Sequence, residues 1–229
     1  DSGVVSTLCA MTGLEVLAIE MPIRQKKDQV DRAQKHMEWL ADRFPNVTTR
    51  SVSLDAPFEA FYSTLAQEND HLSQQNLSLA NTRSRLRMLT LYYFGQIHGL
   101  LVCGTGNKVE DFGVGFYTKY GDGGVDLSPI ADLMKSDVYA LGAYLGVPES
   151  ILKAAPTDGL FGDDRSDEDQ IGANYDELEW AMQQFENGKT VEDFSGREAH
   201  VFSIYKRLNT INQHKMNPIP VCEIPKNFK

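Results

Sequence analysis

Apolar and polar positions fall into two spacings along the chain, and the elements they predict come in the order helix, strand, helix, strand. Val4, Val5, Leu8 and Cys9 recur at helical spacing until Gly13, which predicts a helix with Asp1-Ser2 at its opening. The apolar run Glu15 to Glu20, closed by Pro22, predicts a buried strand. From Asp28 to Arg43 the apolar positions Val30, Ala33, Met37, Leu40 and Ala41 fit one face of a helix, and Val47 to Leu54 predicts a second strand. The longest helical signal runs from about Ser78 to His98, with Leu86, Leu89, Tyr93 and Ile97 on one stripe that is expected to be core. Leu100 to Cys103 predicts a third buried strand. The stretch from Gly104 to Pro129 holds seven glycines with little periodicity. Helices follow near Ala131 to Leu145, Glu149 to Ala154, Tyr175 to Phe185 and Ser195 to Asn212, and the tail with Pro218 and Pro220 is expected to be extended. This cadence is that of an α/β chain with a doubly wound, mostly parallel sheet flanked by helices. No internal repeat interrupts it, and one domain over residues 1–229 is expected.

Charge narrows the partners. With 22 Lys and Arg against 32 Asp and Glu, the formal net charge is -10, which disfavours a nucleic-acid partner. No apolar run approaches the roughly 20 residues that cross a bilayer, so no membrane partner is expected. Cys9, Cys103 and Cys222 are odd in number and widely spaced, which indicates neither a disulfide scaffold nor a zinc site and makes a reducing cytoplasm the default location. A small anion remains compatible, because a phosphate needs only local cations and backbone N–H groups.

Those groups gather in three places. In an open parallel sheet ligands collect beyond the carboxyl ends of the strands, which nominates the loop feeding Asp1-Ser2, the loop after Glu20 and the loop after Cys103. The third is richest: Gly104-Thr-Gly-Asn-Lys-Val-Glu110 places a hydroxyl, an amide, a lysine and a carboxylate within seven positions. Phosphate oxygens call for the N–H groups and lysine, a magnesium ion for the carboxylate. An ordinary glycine-rich turn would have much the same composition. Gly115 to Asp126 adds aromatic residues, a lysine and two acids; the aromatics could stack on a flat ring or anchor the loop itself. Asn81 to Arg87 carries three arginines, and Arg85 and Arg87 point about 200° apart at roughly 100° per residue, so they are expected to serve different groups. The acidic run 163–169 is expected to be a solvated loop, and His214-Lys215 lies in a tail expected to be nonhelical.

Taken in order, these segments resemble the ammonia-dependent NAD synthetases of the N-type ATP pyrophosphatase group. Asp1-Ser2 is similar to the end of the Ser-Gly-Gly-x-Asp-Ser phosphate loop, and Asn81 to Met88 to the arginine-rich helix start. Gly104 to Asp126, above all Thr-Lys-Tyr-Gly-Asp-Gly-Gly, is the most specific stretch. Pro129-Ile-x-Asp-Leu-x-Lys135, Pro156-Thr157 and His214-Lys215 follow in the expected order. The family usually has Arg after that last pair, where Met216 stands here. The sequence begins at the aspartate of the phosphate loop, so the front of that loop and the strand and helix before it are expected to be missing, and without them little or no activity is expected.

The resemblance implies a Rossmann-like fold of the adenine nucleotide alpha hydrolase type and a ligase that forms a C–N bond. ATP adenylates the carboxylate of nicotinic acid adenine dinucleotide, and ammonia then displaces AMP to give NAD. It implies Mg2+ on Asp1 and Glu110, and ATP on Ser2, Arg87, Thr105, Lys135 and Thr157. The dinucleotide is implied at Asn81, Arg85, Tyr92, Phe116, Lys119, Asp126, His214 and Lys215, with Phe116 stacking on the pyridine ring. Asp122 is implied as the group that positions ammonia and accepts its proton, with Lys135 the other catalytic residue. A homodimer is implied as well. Two other readings fit the residues: another amidotransferase domain of the same pyrophosphatase group, and a noncatalytic nucleotide-binding module.

Overall fold

The computed structural model describes residues 1–65, 72–154 and 166–228. Helix α1 (Ser2–Met11) leads to strand β1 (Val16–Glu20), helix α2 (Lys27–Arg43) and strand β2 (Val47–Ser51). The two strands pair in parallel, Val16 opposite Val47 through Glu20 opposite Ser51, with α2 as the crossover. Leu40 of α2 is fully buried against Ala10 and Val47, which is why the amphipathic face packs back on the strands. Helix α3 (Asp55–Ser63), which the sequence pattern did not predict, seals Ile23 and Leu54 with Phe58, against the long helix α4 (Leu72–His98).

The strand expected over Leu100–Cys103 is reduced to a single parallel bridge from Cys103 to Leu127. Its backbone pairs locally instead: the Val102 carbonyl accepts from the Asp126 and Leu127 N–H groups at 2.9 and 3.2 Å, and the Val102 N–H donates to the Asp126 carboxylate at 2.8 Å. Between this segment and the free edge of β1 lies a cavity of about 1160 Å³. The glycine-rich stretch beyond it is not all loop, since Lys108–Val114 winds into a π-helical segment. Asn107 starts that segment by accepting the Glu110 N–H at 3.0 Å, and Gly115 ends it at φ +64°, where a Cβ would collide with Asn212.

Helix α5 (Lys135–Leu145) packs on α1 around Val4, Val5, Ile130 and Val138. Short helices α6 (Glu149–Leu152) and α7 (Asp167–Ile171) come next; α7 replaces part of the expected acidic loop, because Ser166 and Asp169 cap it reciprocally. Helices α8 (Tyr175–Glu186) and α9 (Gly196–Ile211) form the largest core with the π segment, through Val109, Val114, Leu178, Met182, Phe202 and Tyr205. His214 and Lys215 lie in a one-turn helix, α10 (Gln213–Met216), not in nonhelical tail. The expected core stripe of α4 divides: Leu86 packs inward, whereas Leu89, Tyr93 and Ile97 are 62, 61 and 59% exposed.

Candidate functional site

Three elements meet at one ionic cluster. Asp1 stands just before α1, Glu110 sits in the π segment, and Lys135 is the first residue of α5. The Lys135 ammonium lies 2.6 Å from Asp1 Oδ2 and 3.0 Å from Glu110 Oε1, with only 5% of the residue exposed. A lysine in that position opposes the α5 dipole, and the two carboxylates offset both the dipole and the burial. The Tyr175 ring covers the ammonium at 4.6 Å, while its hydroxyl donates to Glu110. Asn107, fully buried, also reaches Asp1 Oδ1 at 3.4 Å. Sequence reasoning passed over Asn107 and Tyr175 as functional residues; the amide in the Gly104–Glu110 heptapeptide was the available signal for the first, and Tyr175 had none.

The residues nominated for ATP border a common space. Asp1, Ser2, Arg87, Thr105 and Lys135 all line the 1160 Å³ cavity, whose walls are the free edge of β1, α1 and α2. Arg87 donates to the Met21 carbonyl at 3.1 Å, just past β1, whereas Arg85 donates to the Lys119 carbonyl at 3.3 Å on the glycine-rich loop. The two arginines therefore face different groups, as their angular separation predicts. Thr157 lies outside the described residues.

The remaining nominated residues gather around the loop from Gly115 to Asp126. Thr118 Oγ1 donates to Asn81 Oδ1 at 2.7 Å, and the Tyr92 hydroxyl donates to Asp126 Oδ1 at 3.0 Å. Burial, followed by Asp126, raises the Tyr92 phenol above its ordinary value. Lys119 donates to the His214 carbonyl. Lys215 donates to the carbonyls of Gly115 and Tyr117 at 2.8 and 2.7 Å, so α10 ties down the loop; burial lowers this ammonium's pKa. Phe116 is half-buried against the α8–α9 core.

Among the described residues, hydrogen bonds reach the Asp122 carboxylate at one oxygen. Its Oδ1 accepts from Ser84 Oγ at 2.6 Å and from the Thr118 N–H at 3.0 Å, and its own N–H donates back to Ser84 Oγ at 2.9 Å. Ser84 was another unrecognised support, although it lies inside the arginine-rich segment. Behind the loop, Asp111 packs against Gly106, where a Cβ would collide with its carboxylate. Burial, then Asp122 and Glu110, push the Asp111 carboxyl up to about 7, against the pull of Lys215. The signal for it was an acid directly following Glu110.

Two carboxylates converging beside a lysine, on a cavity edged by a helix N-terminus and an arginine, suit a nucleotide triphosphate with its magnesium. The family model described as NAD synthase matches residues 1–218. The chain belongs to that family. An NH3-dependent NAD synthetase from Carboxydothermus hydrogenoformans is 36% identical to it over 98% of this chain and 84% of the relative. Among solved structures, an NMN synthetase from Francisella tularensis is similar with a TM-score of 0.78 and 29% identity, over 98% of this chain and 84% of that one. An NH3-dependent NAD synthetase from Campylobacter jejuni, at 24% identity and a TM-score of 0.71 over 97% and 85%, shares the fold. These neighbours agree with the α/β architecture and parallel strand pair of this NAD synthase family member.

Proposed function

We propose that the protein is an ammonia-dependent NAD synthetase, one domain over residues 1–229, which adenylates nicotinic acid adenine dinucleotide with ATP and passes the activated acyl group to ammonia. The observation that carries this reading is the Lys135 ammonium held between Asp1 and Glu110 at the edge of a cavity lined by Ser2, Arg87 and Thr105. A carboxylate is a poor acyl donor, and joining it to AMP supplies a good leaving group.

Each group has a physical task. Lys135 and Arg87 bind the phosphates, the first α1 N–H groups near Ser2 add to their field, and Thr105 and Thr157 donate hydroxyl hydrogen bonds. Asp1 and Glu110 offer hard carboxylate oxygens, which fit a magnesium ion shared with phosphate, and would hold it there. Bound magnesium neutralises charge on the triphosphate. Asn81, Arg85, Tyr92, Phe116, Lys119 and Asp126 bind the dinucleotide, closed over by His214 and Lys215. Asp122 receives the proton that ammonium must lose before its nitrogen can attack.

The test supplies ATP, Mg2+, ammonium and nicotinic acid adenine dinucleotide to the protein. Equal amounts of NAD and AMP are expected, with pyrophosphate. AMP formed only with a different carboxylate substrate would favour another amidotransferase, and tight calorimetric binding without turnover would favour a binding module. The likeness to an NMN synthetase favours one second reading, in which the mononucleotide acid is the substrate. Comparing kcat/KM for the mononucleotide and dinucleotide acids separates the two. Replacing Glu110 with Gln should raise the Mg2+ concentration for half-maximal turnover by about tenfold, a loss of roughly 1.4 kcal/mol; an unchanged requirement removes Glu110 from the metal's ligands.

The exposed α4 face points to a homodimer, because Leu89, Tyr93 and Ile97 form an apolar stripe that a second copy would cover. Sedimentation should give a dimer for the unaltered protein and a monomer for Leu89→Glu with Tyr93→Glu. A monomeric parent would overturn this assignment. No helix among the described residues is long and apolar enough to cross a membrane.

A further inference from the structure

Cys9 of α1 and Cys103 of the segment before the glycine-rich loop meet at the wall of the cavity. Their sulfur atoms are 3.5 Å apart although 94 positions separate them in the chain, and the Cys9 thiol donates toward Cys103. Both residues are half-buried, both are free, and both line the 1160 Å³ cavity, so a small solute can reach them from within it. They pack in the apolar cluster between α1 and α5, with Leu8 and Leu133 alongside, which gives the pair a fixed setting and no competing ionic partner in that cluster. The third cysteine, Cys222, is exposed in the tail.

We propose that Cys9 and Cys103 are a reversible oxidation site, which a peroxide converts to a disulfide joining α1 to the segment that enters the Gly104–Glu110 loop. A disulfide needs its sulfurs at about 2.05 Å, so closure requires a displacement of roughly 1.5 Å, within reach of a side-chain rotation. The two thiols have distinct roles. The Cys9 thiol donates its S–H toward the Cys103 sulfur, which leaves Cys103 as the attacking sulfur; burial, then the neighbouring sulfur, push the Cys9 thiol up to about 12. The Cys103 thiolate attacks one oxygen of hydrogen peroxide; the O–O bond breaks, sulfur is oxidised to a sulfenic acid and hydroxide leaves. Hydroxide takes the Cys9 proton to form one water. The Cys9 sulfur then attacks Cys103, the S–O bond breaks, and the departing hydroxide takes up a proton to form the second water. Two thiols and one peroxide thus become one disulfide and two waters.

The position gives the bond a consequence. Cys103 directly precedes the loop that holds Thr105, Asn107 and Glu110, and α1 follows directly on Asp1, which Asn107 contacts. Closing the ring restrains the unfolded chain over a long loop and should raise the thermal midpoint.

The experiment uses the full chain with Cys222→Ser, treated with a small excess of hydrogen peroxide and then alkylated. Nonreducing peptide mass mapping should find one species linking Cys9 to Cys103, two hydrogens lighter than the separate peptides and cleaved by dithiothreitol. The thermal midpoint should rise on oxidation and return on reduction, whereas Cys9→Ser and Cys103→Ser should show no rise. The proposal is overturned if both cysteines remain fully alkylatable after peroxide, if they proceed to sulfinic acids without a linked peptide, or if the rise persists in Cys9→Ser.

Discussion

Replacing Lys135 with methionine is expected to cost the protein about 3–5 kcal/mol of stability, because it leaves two buried carboxylates facing each other without a cation. Asp1 and Glu110 side chains are only 18 and 13% exposed, so water cannot take over from the lost ammonium. Turnover should fall as well, by about 10²–10³, as the charge that gathers phosphate oxygens disappears. The two effects can be separated. Adding Glu110→Gln to Lys135→Met removes one of the opposed charges and should restore part of the stability while turnover stays low. Lys135→Arg keeps the charge, yet its planar fork cannot place a single ammonium between Asp1 and Glu110 under the Tyr175 ring, so it should recover stability more than rate. Chemical denaturation and AMP release measure the two quantities. A Lys135→Met protein as stable as the parent would show that the cluster is not the cation-dependent unit described here.

How much of this was visible in the sequence depends on the range of the interaction involved. Helix α2 was legible because Leu40 and its neighbours repeat at helical spacing, and α8 because its apolar face continues from Tyr175 to Phe185. The α4 stripe was legible as apolar but not as exposed: periodicity reports that Leu89, Tyr93 and Ile97 share a face, and is silent on whether the cover is this chain or another. Leu100 to Cys103 has the composition of a strand, yet strand identity requires a partner, and the backbone at Val102 pairs instead with residues 126 and 127. The π segment at Lys108–Val114 arises from the Asn107 cap and the turn at Gly115, which carry no apolar repeat.

The nominated site residues show the same division. Asp1, Glu110 and Lys135 were identified from motif resemblance, but nothing in their spacing indicated that they would touch, since Lys135 stands 134 positions from Asp1 and 25 from Glu110 along the chain. The supporting residues were the hardest to see. Asn107, Ser84 and Tyr175 act by orienting another side chain, and such a role depends on a distance that only folding sets.

Asp122→Asn is the change expected to divide binding from chemistry most sharply. In the parent, Ser84 and the Thr118 N–H both donate to Oδ1, and the carboxylate's other oxygen has no protein hydrogen bond among the described residues. An asparagine can set its carbonyl oxygen at the Oδ1 position and keep both bonds, so the loop and the dinucleotide contacts survive. The amide nitrogen then occupies the Oδ2 position, where it cannot accept a proton. Adenylation, measured as pyrophosphate release before ammonium is added, should be nearly unchanged, whereas amide formation should slow by about 10²–10⁴. Raising the pH should recover part of that loss, because more of the nitrogen then arrives already as ammonia and needs no acceptor. Equal losses in dinucleotide affinity and in amide formation would instead make Asp122 a loop-positioning residue, and a rate deficit that ignores pH would remove it from the proton's path.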